Sequence, residues 1–496
     1  MVELVRHSYR YYPYELDLAR REVSTLIPKA ELFDTARGIL LQGSIDMTVA
    51  ERLVYFAATK EGDELSPTMQ AKLERMNGNG MNRQSTRYSA HGIHEYKGKF
   101  NPQIARAILN ILNVQLGARV IDPFCGSGTS LLECAHMGMQ AVGTDINPLA
   151  IFIANAKLDA VRLPTGELRR ELASAVKRQL SFKISKTSPD DARRDYLLSW
   201  FDVEIFYAIE SLRLAIESVA EPSRAILLTI ASNLLREYSL QDPHDLRIRR
   251  RKTSLPEKPF IEAFEEAALQ FLAKIDDAQS ILHRPSADCK AILLDSRVLN
   301  TKKLHVGGGL FDCALTSPPY AMALPYIDTQ RLSLIWLRLV SPMEILPLEA
   351  CLVGSREVRG SKRVLLESLM ANNSNLPLAQ LKCCQILQEA LSESDGFRRQ
   401  AVPLLLYRYF AGMADVFKSL RSIMKDGAPF ALIVGKNHTV LSGKRFDIDT
   451  PQHLADLAEV SGWKHIETIP LQTYQRYGYH IGNAVHSEGL VIVRAA

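Results

Sequence analysis

Apolar positions along this chain change their spacing several times, and each change marks a boundary. Residues 15–26 and 48–58 repeat apolar side chains every three to four positions, so residues 1–85 read as a helical N-terminal segment that ends in a loop at 77–84. A helix is expected over 102–112. Beyond it come short apolar runs ending in acidic, Pro or Gly residues, at 118–121, 139–144, 291–294, 311–316 and 430–435. Such runs suit strands buried on both faces of a parallel sheet. Helical spacing lies between them, through 135, over 149–158, over 329–340 and over 404–424. Two more strands, 464–474 and 489–494, close the chain around a polar loop with Tyr477, Tyr479 and His480. This alternation predicts an α/β, Rossmann-like core. Two stretches interrupt it, 163–285 (helical at 164–180 and 202–219) and 342–400 (helical within 364–391). The expected divisions are therefore 1–85, 86–162, 163–285, 286–341, 342–400 and 401–496.

Candidate chemistry sits at the ends of two predicted strands. Ser317-Pro318-Pro319-Tyr320 comes directly after the run Phe311–Thr316. Its two prolines fix φ, remove two donors and keep the preceding residues extended. The resulting kinked loop offers a hydroxyl, a carbonyl and an aromatic face, a set that suits a flat ring with an exocyclic amine. A Ser-Pro-Pro turn at a strand end is ordinary by itself, and its neighbours change that reading. In Asp122-Pro123-Phe124-Cys125-Gly126-Ser127-Gly128-Thr129, glycines at 126 and 128 admit φ > 0 and a ligand close to the backbone. The helix amides after them suit an anionic group. The loop has neither the third glycine of a dinucleotide fingerprint nor the Lys-Ser/Thr of a P-loop, which disfavours NAD and ATP. Asp145 ends the next strand, 23 positions beyond Asp122, near the spacing of about 20 at which a second strand delivers a ribose-binding acid. Pro148 then opens a helix.

Together these segments resemble the S-adenosylmethionine-dependent DNA amino-methyltransferases, in their cytosine-N4 (SPPY) branch. Asp122–Thr129 is similar to that family's cofactor loop and Gly143-Thr144-Asp145-Ile146-Asn147-Pro148 to its ribose segment. The stretch His91–Pro102 is similar to the motif before the first strand, and Ala291–Arg297 to the third strand. Residues 320–337, with Tyr326 and Arg331–Leu337, also resemble the segment after SPPY in relatives. The resemblance implies a seven-stranded sheet with an antiparallel last strand. It implies S-adenosylmethionine as cofactor, without a metal, bound by Lys99, Phe100, Asp122, Phe124, Gly126, Gly128, Thr129, Asp145, Ile146 and Asp295, the last facing the adenine amine. Ser317, Pro318, Pro319 and Tyr320 become the catalytic residues: serine hydroxyl and Pro318 carbonyl accept from N4 of a flipped cytosine, and Tyr320 stacks on it. Adenine N6 and RNA bases are the alternative targets. The family also implies double-stranded DNA as partner and a cognate restriction endonuclease within restriction–modification or self-marking.

The remaining features adjust this picture slightly. Sixty Lys+Arg against 55 Asp+Glu give a net charge of +5, which permits a nucleic-acid partner without requiring one. The positive charge is densest at Arg247–Lys252, so Arg249, Arg250, Arg251 and Lys252 are candidate phosphate contacts, against the plain alternative of a solvated surface. A loop from Gly354 to Arg363 is a second candidate, and either insertion could carry sequence readout. Seven scattered cysteines form no CxxC pair, as expected in a reducing cytoplasm without a zinc site. Carbon-5 chemistry is rejected because Cys383-Cys384 comes after Lys382 in a helical pattern, not in a Pro-Cys turn; Cys125 reads as packing. The N-terminus lacks a signal-peptide core and no apolar run approaches the ~18 residues of a membrane helix, so a soluble, DNA-associated cytoplasmic protein is expected.

Overall fold

The computed structural model describes residues 1–75, 84–99, 101–182, 191–245, 248–304, 309–321, 327–357, 361–472 and 487–496. The loop 77–84 lies almost wholly outside these residues, as do Phe100, Tyr326, Tyr477, Tyr479 and His480.

The N-terminal segment corrects the expectation of a helical preface. It forms a five-stranded antiparallel sheet of β1 (Val2–Arg6), β2 (Glu31–Asp34), β3 (Gly38–Gln42), β4 (Phe56–Glu61) and β5 (Glu64–Pro67), in the order β2-β3-β1-β4-β5. Period-two alternation explains the strands: Val2 and Leu4, and again Ile39 and Leu41, are buried on alternate positions. The helix Pro13–Leu26 forms close to where its spacing predicts and buries Leu18, Ala19 and Val23. The helix expected over 48–58 does not. A four-residue turn of helix, Met47–Ala50, leads into the continuous buried run Leu53-Val54-Tyr55-Phe56, which feeds β4. An uninterrupted apolar run is compatible with either helix or strand, and here its short length favours the strand.

The core sheet contains β6 (Arg119–Asp122), β7 (Gln140–Asp145), β8 (Cys289–Leu293), β9 (Cys313–Thr316) and β10 (Pro429–Gly435). After a hairpin of β11 (Asn437–Leu441) and β12 (Lys444–Ile448), it is completed by β13 (Trp463–Gln472) and β14 (Ser487–Ala495). The seven strands run in the order β13-β14-β10-β9-β6-β7-β8. Pairing is parallel from β8 through β10, and β14 is antiparallel to both neighbours. This is the sheet the resemblance implies.

Helices fill both interruptions. Thr165–Gln179, Asp191–Leu198, Val203–Glu217, Ser223–Leu234 and Phe260–Leu282 build the first; Ile345–Cys351, Lys362–Met370, Leu378–Glu389 and Phe397–Gln400 build the second. Buried Arg193 locks the first interruption to the core: it donates to the carbonyls of Ile335 (3.0 Å) and Trp336 (2.9 Å), which end the helix Arg331–Trp336, while pairing with Glu210 at 2.7 Å. No helix among the described residues is long and apolar enough to cross a membrane.

Candidate active site

Strand order reverses at β6, with β7 and β8 on one side and β9 and β10 on the other. In open α/β sheets ligands bind beyond the carboxyl ends of the strands at such a switch point. Asp122 leaves β6 there and Ser317 leaves β9 there, so the fold brings both sequence motifs to one crevice.

The Asp122 side chain faces inward. Its buried carboxylate accepts from the Phe124 amide (3.0 Å), the Thr316 hydroxyl (2.6 Å) and the Ser130 hydroxyl. It joins β6, β9 and the helix Thr129–His136, and burial raises its pKa to about 6 against those bonds. Gly126 (φ +47°) and Gly128 (φ +75°) use the left-handed freedom of glycine. A Cβ on Gly128 would stand 2.8 Å from the Ala154 Cβ, so the loop lies directly on the helix Pro148–Arg162. From that helix, buried Lys157 donates to the Ser127 carbonyl (2.7 Å) and hydroxyl (3.1 Å), and burial holds its pKa well below the lysine range. Thr129 is buried at the helix start; Phe124 and Ile146 are half-buried at the rim. Burial also keeps the Cys125 thiol protonated, in keeping with a packing role.

Asp145 accepts from the amides of Gly126 (3.1 Å) and Asn147 (2.9 Å), and burial raises its pKa to about 6 despite them. Asn147 caps the following helix and donates to Gln330 at 2.6 Å and to the Tyr96 hydroxyl at 3.4 Å. Tyr96, Asn147 and Gln330 are site residues that sequence reasoning missed. All three lie inside segments that carry the resemblance, Gln330 within residues 320–337. Lys99 donates to the carbonyls of His91 (3.0 Å) and Thr86 (3.5 Å); burial, then the nearby Arg87, lowers its pKa to about 8. Asp295 is engaged by its own neighbour, with the Arg297 guanidinium at 2.6 Å and the Arg297 amide at 2.9 Å. Burial would raise its pKa, but these bonds hold it below the carboxylate range.

Beneath the loop helix lies a buried polar cluster. Glu133 accepts from Tyr88, His91 and Arg106, each at 2.7 Å. Burial opposes ionisation, yet Arg106 and the histidines keep Glu133 well below its ordinary pKa, while burial depresses His91 to about 3. His91, Glu133 and His136 bring three potential ligand atoms within 4.8 Å. The Arg106 guanidinium already occupies the carboxylate, which suits an ion pair better than a cation site.

The Ser317–Tyr320 loop is braced from a distance. Ser317 donates to the Ile433 carbonyl (3.3 Å), Tyr320 to Glu488 (2.6 Å), and Asn437 to the Ala321 carbonyl (3.0 Å). Pro318 is buried and Pro319 half-buried. A Cβ on Gly354 would stand 3.0 Å from the Tyr320 carbonyl oxygen, so the second insertion packs directly on this loop. Asn437, Glu488 and Gly354 escape a sequence reading because each is remote from the motif it serves.

The described residues of the basic run, Ile248–Lys252, form one arm of a hairpin in which Asp242 and Leu240 pair with Arg249 and Arg251; Arg247 lies outside the described residues. Arg249 pairs with Asp245 (3.1 Å), Arg250 lies 4.8 Å over the Trp200 ring, and Arg251 donates to the Ser239 carbonyl (3.0 Å). Lys252 is exposed. The helix Ser223–Leu234, just before the hairpin, joins both sides of the crevice. Asn233 accepts from the Glu95 amide (2.7 Å) and the Ser232 carbonyl from Ser333 (3.3 Å).

Residues 93–185 match the family described as UPF0020, RMKL-like, methyltransferase domain. The type II methyltransferase M.MjaII of Methanocaldococcus jannaschii is 34% identical over 136 residues, 27% of this chain and 25% of that protein. M.AvaI of Nostoc sp., also a type II methyltransferase, is 24% identical over 412 residues, 76% of this chain and 80% of that protein. The tRNA (guanine(10)-N2)-dimethyltransferase of Methanothermobacter thermautotrophicus is 44% identical over 52 residues, 10% of this chain and 16% of that protein. The chain thus spans a quarter of the first of these relatives and four fifths of the second.

Proposed function

We propose that this S-adenosylmethionine-dependent methyltransferase acts on DNA, at the exocyclic N4 of a cytosine flipped out of the double helix. The observation that carries the reading is Ser317-Pro318-Pro319-Tyr320 at the end of β9, facing the Gly126–Gly128 loop at the switch point. The residues present fit the cofactor. Glycines at positive φ give the loop its tight turn, Asp145 ends β7 where ribose hydroxyls would donate, and the helix-opening amides with Lys99 suit a carboxylate. Phe124 and Ile146 would flank the nucleoside, and Asp295 would share its oxygens between Arg297 and the adenine amine.

When bound, the cofactor supplies an electrophilic methyl group on a sulfonium sulfur. The protein must make a weakly nucleophilic amine reactive and aim it. Because the Ser317 hydroxyl spends its proton on the Ile433 carbonyl, its remaining lone pairs are acceptors. Together with the Pro318 carbonyl they would accept both amine N–H bonds, drawing the nitrogen toward sp³ and freeing its lone pair. Tyr320 would hold the ring by stacking. Phosphate grip is assigned to the hairpin of the first insertion. Arg251 there holds the hairpin's own backbone, so Arg250 and Lys252 are the better contacts. The type II relatives support a place in restriction–modification or self-marking, with a cognate restriction endonuclease as partner.

The 52-residue likeness to a tRNA methyltransferase favours a second reading, an RNA base, but the likeness to M.AvaI extends over far more of the chain. Mass spectrometry of nucleosides from genomic DNA of expressing cells, against a Pro319→Ala control, tests the proposal. N4-methylcytosine dependent on the intact protein is the expected result. N6-methyladenine would correct the base, and neither mark, with cofactor binding intact, would overturn the DNA reading.

A further inference from the structure

We infer that Glu488 is a positioning residue for the target base, fixing the place at which the Tyr320 ring stands to stack on it. This rests on the reading that a flipped base lies on Tyr320. Glu488 stands near the start of β14, between Gly435 of β10 and Leu471 of β13. It is half-buried at the head of a strand whose next residues, Leu490 to Val493, are all buried and apolar. A carboxylate there needs a donor, and the Tyr320 hydroxyl provides one at 2.6 Å.

The other braces of the loop act on its first hydroxyl and its backbone: Ser317 on Ile433, Asn437 on the Ala321 carbonyl, and Gly354 against the Tyr320 carbonyl. Apolar packing also bears on the Tyr320 ring. The bond to Glu488 pins the far end of the side chain to a strand inside the sheet. A ring held before the base arrives presents its face without an ordering cost at the moment of stacking. The carboxylate acts through Tyr320 and touches no reacting atom.

The test measures steady-state methylation of unmethylated plasmid DNA, with cofactor Kd measured in parallel by calorimetry. Glu488→Ala and Tyr320→Phe are each expected to lower kcat about tenfold while leaving cofactor Kd unchanged. The double variant should fall no further than either single one, because one interaction is removed twice. Glu488→Gln keeps an acceptor oxygen and should stay within about twofold of wild type. It is nearly isosteric, so together with Tyr320→Phe it decides the question even if the alanine variant folds poorly. Unchanged kcat in Tyr320→Phe, or losses that multiply in the double variant, would overturn the inference alone. A wild-type protein that binds cofactor but leaves plasmid DNA unmethylated would overturn the DNA reading and this inference with it.

Discussion

The two loops that meet at the switch point are held by opposite strategies. Around Gly126 and Gly128 most fastenings come from nearby: Asp122 to Phe124 and Ser130, Asp145 to Gly126, and Lys157 to Ser127. The Ser317–Ala321 loop takes its hydrogen bonds instead from residues more than a hundred positions away, Ile433, Asn437 and Glu488. On the proposed function, the loop that would bind the cofactor is largely self-contained in a short stretch of chain. The loop that would grip the base is assembled from distant parts of the fold, so its geometry could be tuned without altering the other loop.

The largest way to break this comparison is to attack the root of the cofactor half. Glu133→Gln removes the carboxylate bonded to buried Arg106 while keeping size and shape. Leaving that guanidinium buried without its bonded partner is expected to cost about 3–5 kcal/mol of unfolding free energy, read by urea denaturation. A loss below about 1 kcal/mol, the scale of an exposed pair, would mean that Arg106 is satisfied in another way.

The same contrast explains how much was legible in the sequence. Several fastenings of Asp122–Thr129 and Gly143–Pro148 lie within these two segments, Phe124 to Asp122 and Gly126 and Asn147 to Asp145, so motif and structure coincide there. The tetrapeptide is equally visible, but its supports are not: Glu488 comes after an ordinary polar stretch of sequence, and Asn437 opens a small hairpin. At the N-terminus, four- to six-residue strands are lost under the stronger helical signal of Pro13–Leu26, since alternation over so few positions is a weak pattern. The charge run reads correctly as a cluster, yet composition could not separate Arg251, spent on a backbone carbonyl, from Arg250 stacked on Trp200.

A middle-sized effect sharpens the difference between holding a loop and holding a ligand. Burial raises Asp145 from 3.8 to about 6, so its ionised form costs folding free energy. The unfolded chain ionises first as pH rises, and stability therefore falls between about pH 4 and about pH 6. Cofactor affinity should move the other way, because an ionised carboxylate accepts ribose hydroxyls more strongly than a neutral one. Asp145→Asn is expected to weaken cofactor binding about tenfold at pH 7.5 and to flatten the pH dependence of Kd near 6. Calorimetric titration across that range decides. A wild-type affinity that is flat through pH 6 would remove Asp145 from the ribose contact.

The smallest effect concerns the grip on the substrate backbone, and it separates the two insertions. Each phosphate contact made by a cation releases counterions, so losing one should reduce the slope of log K against log salt by about 1. Arg250→Ala and Lys252→Ala are each expected to do this, read by fluorescence anisotropy of a labelled DNA duplex over a salt series. Arg251→Ala should leave the slope nearly unchanged, because its guanidinium is turned onto the Ser239 carbonyl and stiffens the hairpin. The helix just before the hairpin is bonded to Glu95 on one side of the crevice and to Ser333 on the other. A backbone gripped there would lie across both halves of the crevice, so a modest electrostatic contact would align the flipped base with both loops. If the slope were unaffected in Arg250→Ala and Lys252→Ala but reduced in Arg363→Ala, the grip would belong to the second insertion. That insertion also carries the Gly354 packing against Tyr320, so a single element would then both hold the backbone and shape the catalytic loop.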